Sequence, residues 1–225
     1  MTASSAKIFP IIRLVSQPFT RLLMHSPFSA NQISACSLVF GLACNWCMMQ
    51  GKWEMAVAGG LLLLLCYILD NSDGDVARFK GHCSEFGMRF DSFVDWVVNA
   101  TFFPALGHGY TIMTGESLWT WLGWAAFAGG TINYLVGFWI EAREKRRLGK
   151  DAKSGHESPE EAKQPEKWHE WVIFIFRELT RADFCFIVLA LALFDTTWVL
   201  IPVGAIGSHV YWLTQFIRGS NEYHV

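Results

Sequence analysis

Residues 70–96 read DNSDGDVARFKGHCSEFGMRFDSFVDW, and this stretch decides how the rest of the chain is read. It holds five aspartates, Asp70, Asp73, Asp75, Asp91 and Asp95, in a chain that is 52% hydrophobic. They stand where one apolar segment ends and the next begins. Carboxylates beside a membrane are costly, so something must offset that cost.

Working outward, the composition points to a membrane protein. Only 17% of the 225 residues are charged, and the mean hydropathy is +0.26. A net charge of −2 excludes a global signal for nucleic acid. The length predicts one domain, residues 1–225. Apolar runs predict six membrane-spanning helices, near residues 33–49, 53–69, 86–113, 118–140, 182–194 and 198–217. Pro104 is expected to kink the third. The fold class is therefore all-α integral membrane.

The first residues, MTASSAKIFPIIRLVSQPFTRLLMHS, carry Lys7, Arg13 and Arg21 among apolar residues at helical intervals. They predict an amphipathic helix lying on the inner membrane face, within residues 1–28, and not a cleaved signal. Residues 141–170 are polar and charged and contain Gly and Pro, which predicts a solvated cytoplasmic loop. With six spans both termini fall on one side. If that side is inside, Lys52 is the only one of the 18 Lys and Arg left outside. The termini and the acidic stretch are thus expected in the cytoplasm.

Spacing carries the chemistry. Asp70 and Asp73 are three apart, and Asp91 and Asp95 four apart, so each pair shares a helix face. Asn99 continues the second face one turn deeper. Four converging carboxylates repel one another unless cations neutralise them. Oxygen-only ligands favour Mg²⁺ or Mn²⁺ over zinc. Two such ions side by side serve displacement at phosphorus. Gly74, Ala77 and Gly87 let a bulky group approach the backbone, and the Arg78 fork suits phosphate oxygens.

The pattern D-x2-D-G-x2-A-R-x8-G-x3-D-x3-D resembles the signature of the CDP-alcohol phosphotransferases, also called CDP-alcohol phosphatidyltransferases. It is met here by Asp70, Asp73, Gly74, Ala77, Arg78, Gly87, Asp91 and Asp95 without departure. SPFSANQIS, residues 26–34, also resembles the Pro-Asn-x-x-Thr-like opening of the first helix in this family, with the proline displaced. The resemblance implies that Asp70, Asp73 and Asp91 hold two Mg²⁺ or Mn²⁺ ions, with Asp95 contributing or standing close. It implies that Gly74, Ala77, Arg78 and Gly87 shape the nucleotide pocket. Asp95 resembles the general base that takes the proton from an acceptor hydroxyl, with CMP as the leaving group. It further implies a homodimer acting on a CDP-linked alcohol, a hydroxyl acceptor and membrane lipid.

The motif names the donor class and not the alcohols. A phosphatidyl group from CDP-diacylglycerol, passed to a small polar acceptor in phospholipid biosynthesis, is the favoured reading. Transfer of a CDP-linked inositol, choline or ethanolamine headgroup to a lipid or polar alcohol is the alternative, as in di-inositol phosphate synthesis. A divalent-cation transporter is a distant third, because a transporter would carry acids near mid-membrane. Arg143, Arg181 and Arg218 fall near the cytoplasmic ends of spans four to six. By position alone they are acceptor-pocket candidates, with lipid headgroup contact as the plainer reading.

Other residues have plain readings. Asp75 lies outside the motif and reads as a turn residue. Lys80 and Arg89 read as inside-face charges, and His82 and Cys83 as loop residues. His209 reads as a hydrogen-bonded core histidine or as part of a polar cavity. Cys44 and Cys47 form a CxxC inside an apolar run, so they read as buried thiols.

Overall fold

A computed structural model of the chain describes residues 11–148 and 183–221. Among these residues all regular structure is helical. In chain order the helices are α1 (Ile11–Met24), α2 (Ala30–Met49), α3 (Trp53–Lys80), α4 (Glu85–Thr114), α5 (Leu118–Leu148), α6 (Phe184–Leu193) and α7 (Leu200–Asn221). A 3-10 turn, Thr197–Val199, leads into α7.

Local chemistry sets the boundaries around the acidic stretch. Ser29 caps α2 in a capping box: it accepts from the Gln32 N–H, and the Gln32 side chain accepts from the Ser29 N–H. Ser84 caps α4, accepting from the Gly87 N–H at 3.0 Å. Gly81 ends α3 at φ 69°, a left-handed conformation that costs glycine little. The His82 N–H donates back to the Ala77 carbonyl at 2.9 Å and closes that last turn.

The second span was expected to end near residue 69. Instead α3 continues as one helix to Lys80, so Asp70 to Arg78 are all helical. Asp, Asn, Ser and Gly are weak helix formers, but here α1 and α2 pack against this helix, and packing outweighs propensity. Helix α4 runs unbroken with Pro104 inside it. Helix α5 extends to Leu148, so the start of the expected 141–170 loop is helical and the rest lies outside the described residues. Only residues 11–24 of the expected interfacial segment form a described helix.

The core draws on every helix, including Ile12, Cys44, Leu63, Phe102, Val188 and Ile201, each at most 1% exposed. Helix α2 lies against both α3 and α4, α4 against α5, and α5 against α7. Small residues let backbones close up. A Cβ on Gly109 would sit 2.2 Å from the Met48 carbonyl oxygen, and one on Gly107 would sit 2.4 Å from that of Trp119.

The outside is apolar too. Val39, Trp46, Leu61, Trp121, Leu135 and Ile206 are all exposed. Such an exterior suits lipid. Among the described residues two helices are long and apolar enough to cross a membrane, Ala30–Met49 and Trp53–Lys80.

Candidate active site

The polar end of α3 and the first turns of α4 meet beside α2. Asp70 and Asp73 come from α3, Asp91 from α4. Each offers a carboxylate oxygen, and these oxygens lie within 4.8 Å of one another. Asp73 is buried, and Asp70 and Asp91 are half-buried. Among the described residues no ion pair reaches any of the three. Asp91 Oδ1 is buried and has no hydrogen-bond partner. Three acceptor-only groups packed so closely, one with an orphaned oxygen, fit a divalent cation.

Asp95 is exposed and stands one turn along α4 from Asp91. It lies outside the tight three-carboxylate cluster, though its charge acts on Asp70 and Asp73. Below it, Asn99 bridges the helices. Its side-chain N–H donates to the Asp95 carbonyl at 2.9 Å, and Tyr67 of α3 donates its hydroxyl to Asn99 Oδ1 at 3.1 Å.

Neighbouring motif residues have separate tasks. The Arg78 guanidinium pairs with Asp75, one turn back on α3, with both side chains solvent-accessible. Asp75, expected in a turn, is instead helical and pairs with Arg78. The i,i+3 spacing was the signal that could have found it. A Cβ on Gly74 would lie 3.5 Å from Arg78 Nη1, an ordinary contact, so glycine is not demanded there by crowding. At Gly87 a Cβ would lie 3.1 Å from Asn31 Oδ1, so the glycine admits the Asn31 side chain from α2. Ala77 is half-buried on α3.

A second set of residues was given no role from sequence, although Ser34 closes the quoted stretch SPFSANQIS. Ser34 of α2 donates its hydroxyl to Asp73 Oδ2, and Ser37 donates to the Ser34 carbonyl at 2.7 Å. Thr20 of α1 donates to the Ser72 hydroxyl at 2.8 Å. Asp183, fully buried, accepts from the Ile11 and Ile12 N–H groups at 2.9 and 2.8 Å and so caps α1 from across the fold.

The family model for CDP-alcohol phosphatidyltransferases matches residues 28–210. The chain belongs to that family. It is accordingly a transferase that acts on CDP-linked alcohols and acceptor alcohols, in a family that uses divalent metal ions and serves phospholipid synthesis. The family and the two apolar helices make it a membrane protein. No curated protein matches the sequence. In this CDP-alcohol phosphatidyltransferase the three-aspartate cluster is the part of the motif that the fold draws together.

The remaining candidates have contacts of their own or lie outside the described residues. Arg143 is exposed, with its guanidinium 5.0 Å from the centre of the Trp139 ring. Arg181 and the Arg218 side chain lie outside the described residues. Lys80 donates to the Ser26 and Phe28 carbonyls, both at 2.7 Å, and Arg89 pairs with Glu85 at 2.8 Å. His82 and Cys83 sit in the exposed link between α3 and α4.

His209 accepts at Nδ1 from the Trp212 indole N–H at 3.0 Å. That leaves Nε2 to donate to the Ala125 carbonyl at 3.1 Å. Both ring nitrogens are used within the protein, so the hydrogen-bonded core reading applies. Cys44 and Cys47 are buried free thiols.

Proposed function

We propose that this chain transfers a phosphatidyl group from CDP-diacylglycerol to the hydroxyl of a small polar acceptor, releasing CMP. The observation that carries the reading is the convergence of Asp70, Asp73 and Asp91 within 4.8 Å, in a chain of this family. Asp70, Asp73 and Asp91, with Asp95 beside them, would hold two divalent ions, Mg²⁺ or Mn²⁺. When bound, such ions neutralise the donor's pyrophosphate and the charge developing on CMP.

The protein's own groups do the rest. Arg78, held by Asp75, offers its N–H fork to phosphate oxygens. Gly74, Ala77 and Gly87 keep the nucleotide side of the site open. Asp95, exposed at the rim, takes the proton from the acceptor hydroxyl. The acceptor oxygen then bonds to the β-phosphorus as the bond from that phosphorus to the CMP oxygen breaks. Arg143, Arg181 and Arg218 serve a phosphorylated acceptor in this reading. The support is their place in the sequence, near the expected cytoplasmic ends of spans four to six.

The same reading gives the chain six spans, cytoplasmic termini and site, and a homodimeric state. The apolar exterior and the inside bias of Lys and Arg support the first two, and family likeness supports the third.

The test is CMP release by purified protein with CDP-diacylglycerol and Mg²⁺, across glycerol 3-phosphate, inositol, inositol 1-phosphate and serine. Acceptor-dependent CMP that is lost in Asp91→Asn supports the phosphatidyl reaction and names the acceptor. Folded protein that releases no CMP with any acceptor rejects it. CDP-inositol, CDP-choline and CDP-ethanolamine would then be the donors to try.

A further inference from the structure

Asp73 is held from outside its own helix. Ser34 lies on α2, is buried, and gives its hydroxyl proton to Asp73 Oδ2. Ser34 itself is fixed. Its hydroxyl also lies 3.1 Å from the Ala30 carbonyl, one turn back on α2. Its own carbonyl accepts from the fully buried Ser37 hydroxyl. On the other side, Thr20 of α1 bonds Ser72, the residue before Asp73. The acidic end of α3 is therefore gripped by one hydroxyl from α1 and one from α2.

A free aspartate side chain can turn either oxygen, or both, toward an ion. With Oδ2 engaged by a buried hydroxyl, the Asp73 carboxylate is restricted in rotation. Groups that orient a ligand in this way commonly change metal affinity or activity about 10–100-fold when removed. No other serine or threonine hydroxyl among the described residues donates to the three clustered aspartates.

We propose that Ser34 is a positioning residue that fixes the Asp73 carboxylate for divalent-cation binding. The inference rests on the metal-site reading above and deepens it. Ser34 touches neither substrate nor reacting atoms in this assignment; it acts through Asp73.

The test uses full-length protein in detergent and Mn²⁺ as the probe. Mn²⁺ uptake is followed by electron paramagnetic resonance, and thermal unfolding is measured without metal. Ser34→Ala and Ser34→Cys are expected to weaken Mn²⁺ binding about 10-fold or more while metal-free unfolding stays close to that of the unsubstituted protein. Ser34→Thr, which keeps the hydroxyl, is expected to bind nearly normally. Ser37→Ala, which removes a neighbouring hydroxyl that does not touch Asp73, is expected to do the same.

Mn²⁺ affinity unchanged in both Ser34→Ala and Ser34→Cys overturns the role of Ser34 alone. Equal weakening in Ser37→Ala, or no recovery in Ser34→Thr, also overturns it, because general loosening of α2 would then explain the loss. Unsubstituted protein that takes up no Mn²⁺ overturns the metal-site reading itself, and this inference with it. If Ser34→Ala does not fold, the Cys and Thr variants decide by the same comparison.

Discussion

Asp91 presents a buried carboxylate oxygen with no hydrogen-bond partner, within 4.8 Å of oxygens from two other acids. Its replacement by asparagine keeps the shape and removes a charge that a cation would use. Asp91→Asn is expected to lower CMP release about 100-fold or more, with the thermal midpoint held or raised, since like-charge repulsion is relieved. A rate within a few-fold of the unsubstituted protein would count against a metal site there. Arg78 sets a second expectation. Asp75 holds its guanidinium in place, and the pair is solvent-accessible, so it adds little stability. Asp75→Ala is expected to leave unfolding unchanged and to raise the donor KM several-fold. Arg78→Lys, which loses the planar fork, is expected to be more damaging. Steady-state kinetics across CDP-diacylglycerol concentrations separates the two.

Helices, more than single groups, depend on two contacts made across the fold. The first is the buried Asp183 carboxylate on the opening N–H groups of α1. Helix α1 turns Ile12, Ser16 and Thr20 inward and leaves Leu14, Phe19 and Leu22 exposed, so little apolar burial holds it. Asp183→Ala would orphan two backbone donors and is expected to cost about 3 kcal/mol. Earlier cleavage within α1 under limited proteolysis, ahead of global unfolding, would register that loss. The second contact is the crossing of α2 and α4 at Gly109, where a Cβ would meet the Met48 carbonyl oxygen at 2.2 Å. That obstacle is backbone and cannot swing away. Gly109→Ala is expected to destabilise by about 1–3 kcal/mol, read as a lower thermal midpoint in detergent.

At the scale of the molecule, the proposal of six spans with an inward-facing site makes a topological prediction. Cys83, exposed in the link between α3 and α4, lies on the proposed cytoplasmic side, and Glu116, exposed between α4 and α5, on the other. In a chain without other cysteines, a membrane-impermeant maleimide on sealed, right-side-out cells is expected to label Glu116→Cys and spare Cys83. Inverted vesicles are expected to reverse the pattern. Labelling of both from one side would reject the arrangement.

The sequence alone determined the helical class, most helix positions and the helix faces that bring Asp70, Asp73 and Asp91 together. Hydrophobic runs are local, and a fixed i,i+3 or i,i+4 spacing on a helix specifies a shared face without reference to anything distant. The same i,i+3 logic encodes the Asp75–Arg78 pair. Only the tertiary structure decided that α3 carries its helix through the polar residues to Lys80, because that outcome depends on α1 and α2 packing against it. Only the tertiary structure, likewise, set Ser34 on Asp73 and Asp183 on the start of α1. These partners are 39 and more than 170 residues apart in the chain. No local periodicity encodes such contacts. They arise where buried polar groups, cut off from water, must find partners on whichever helix the packing brings near.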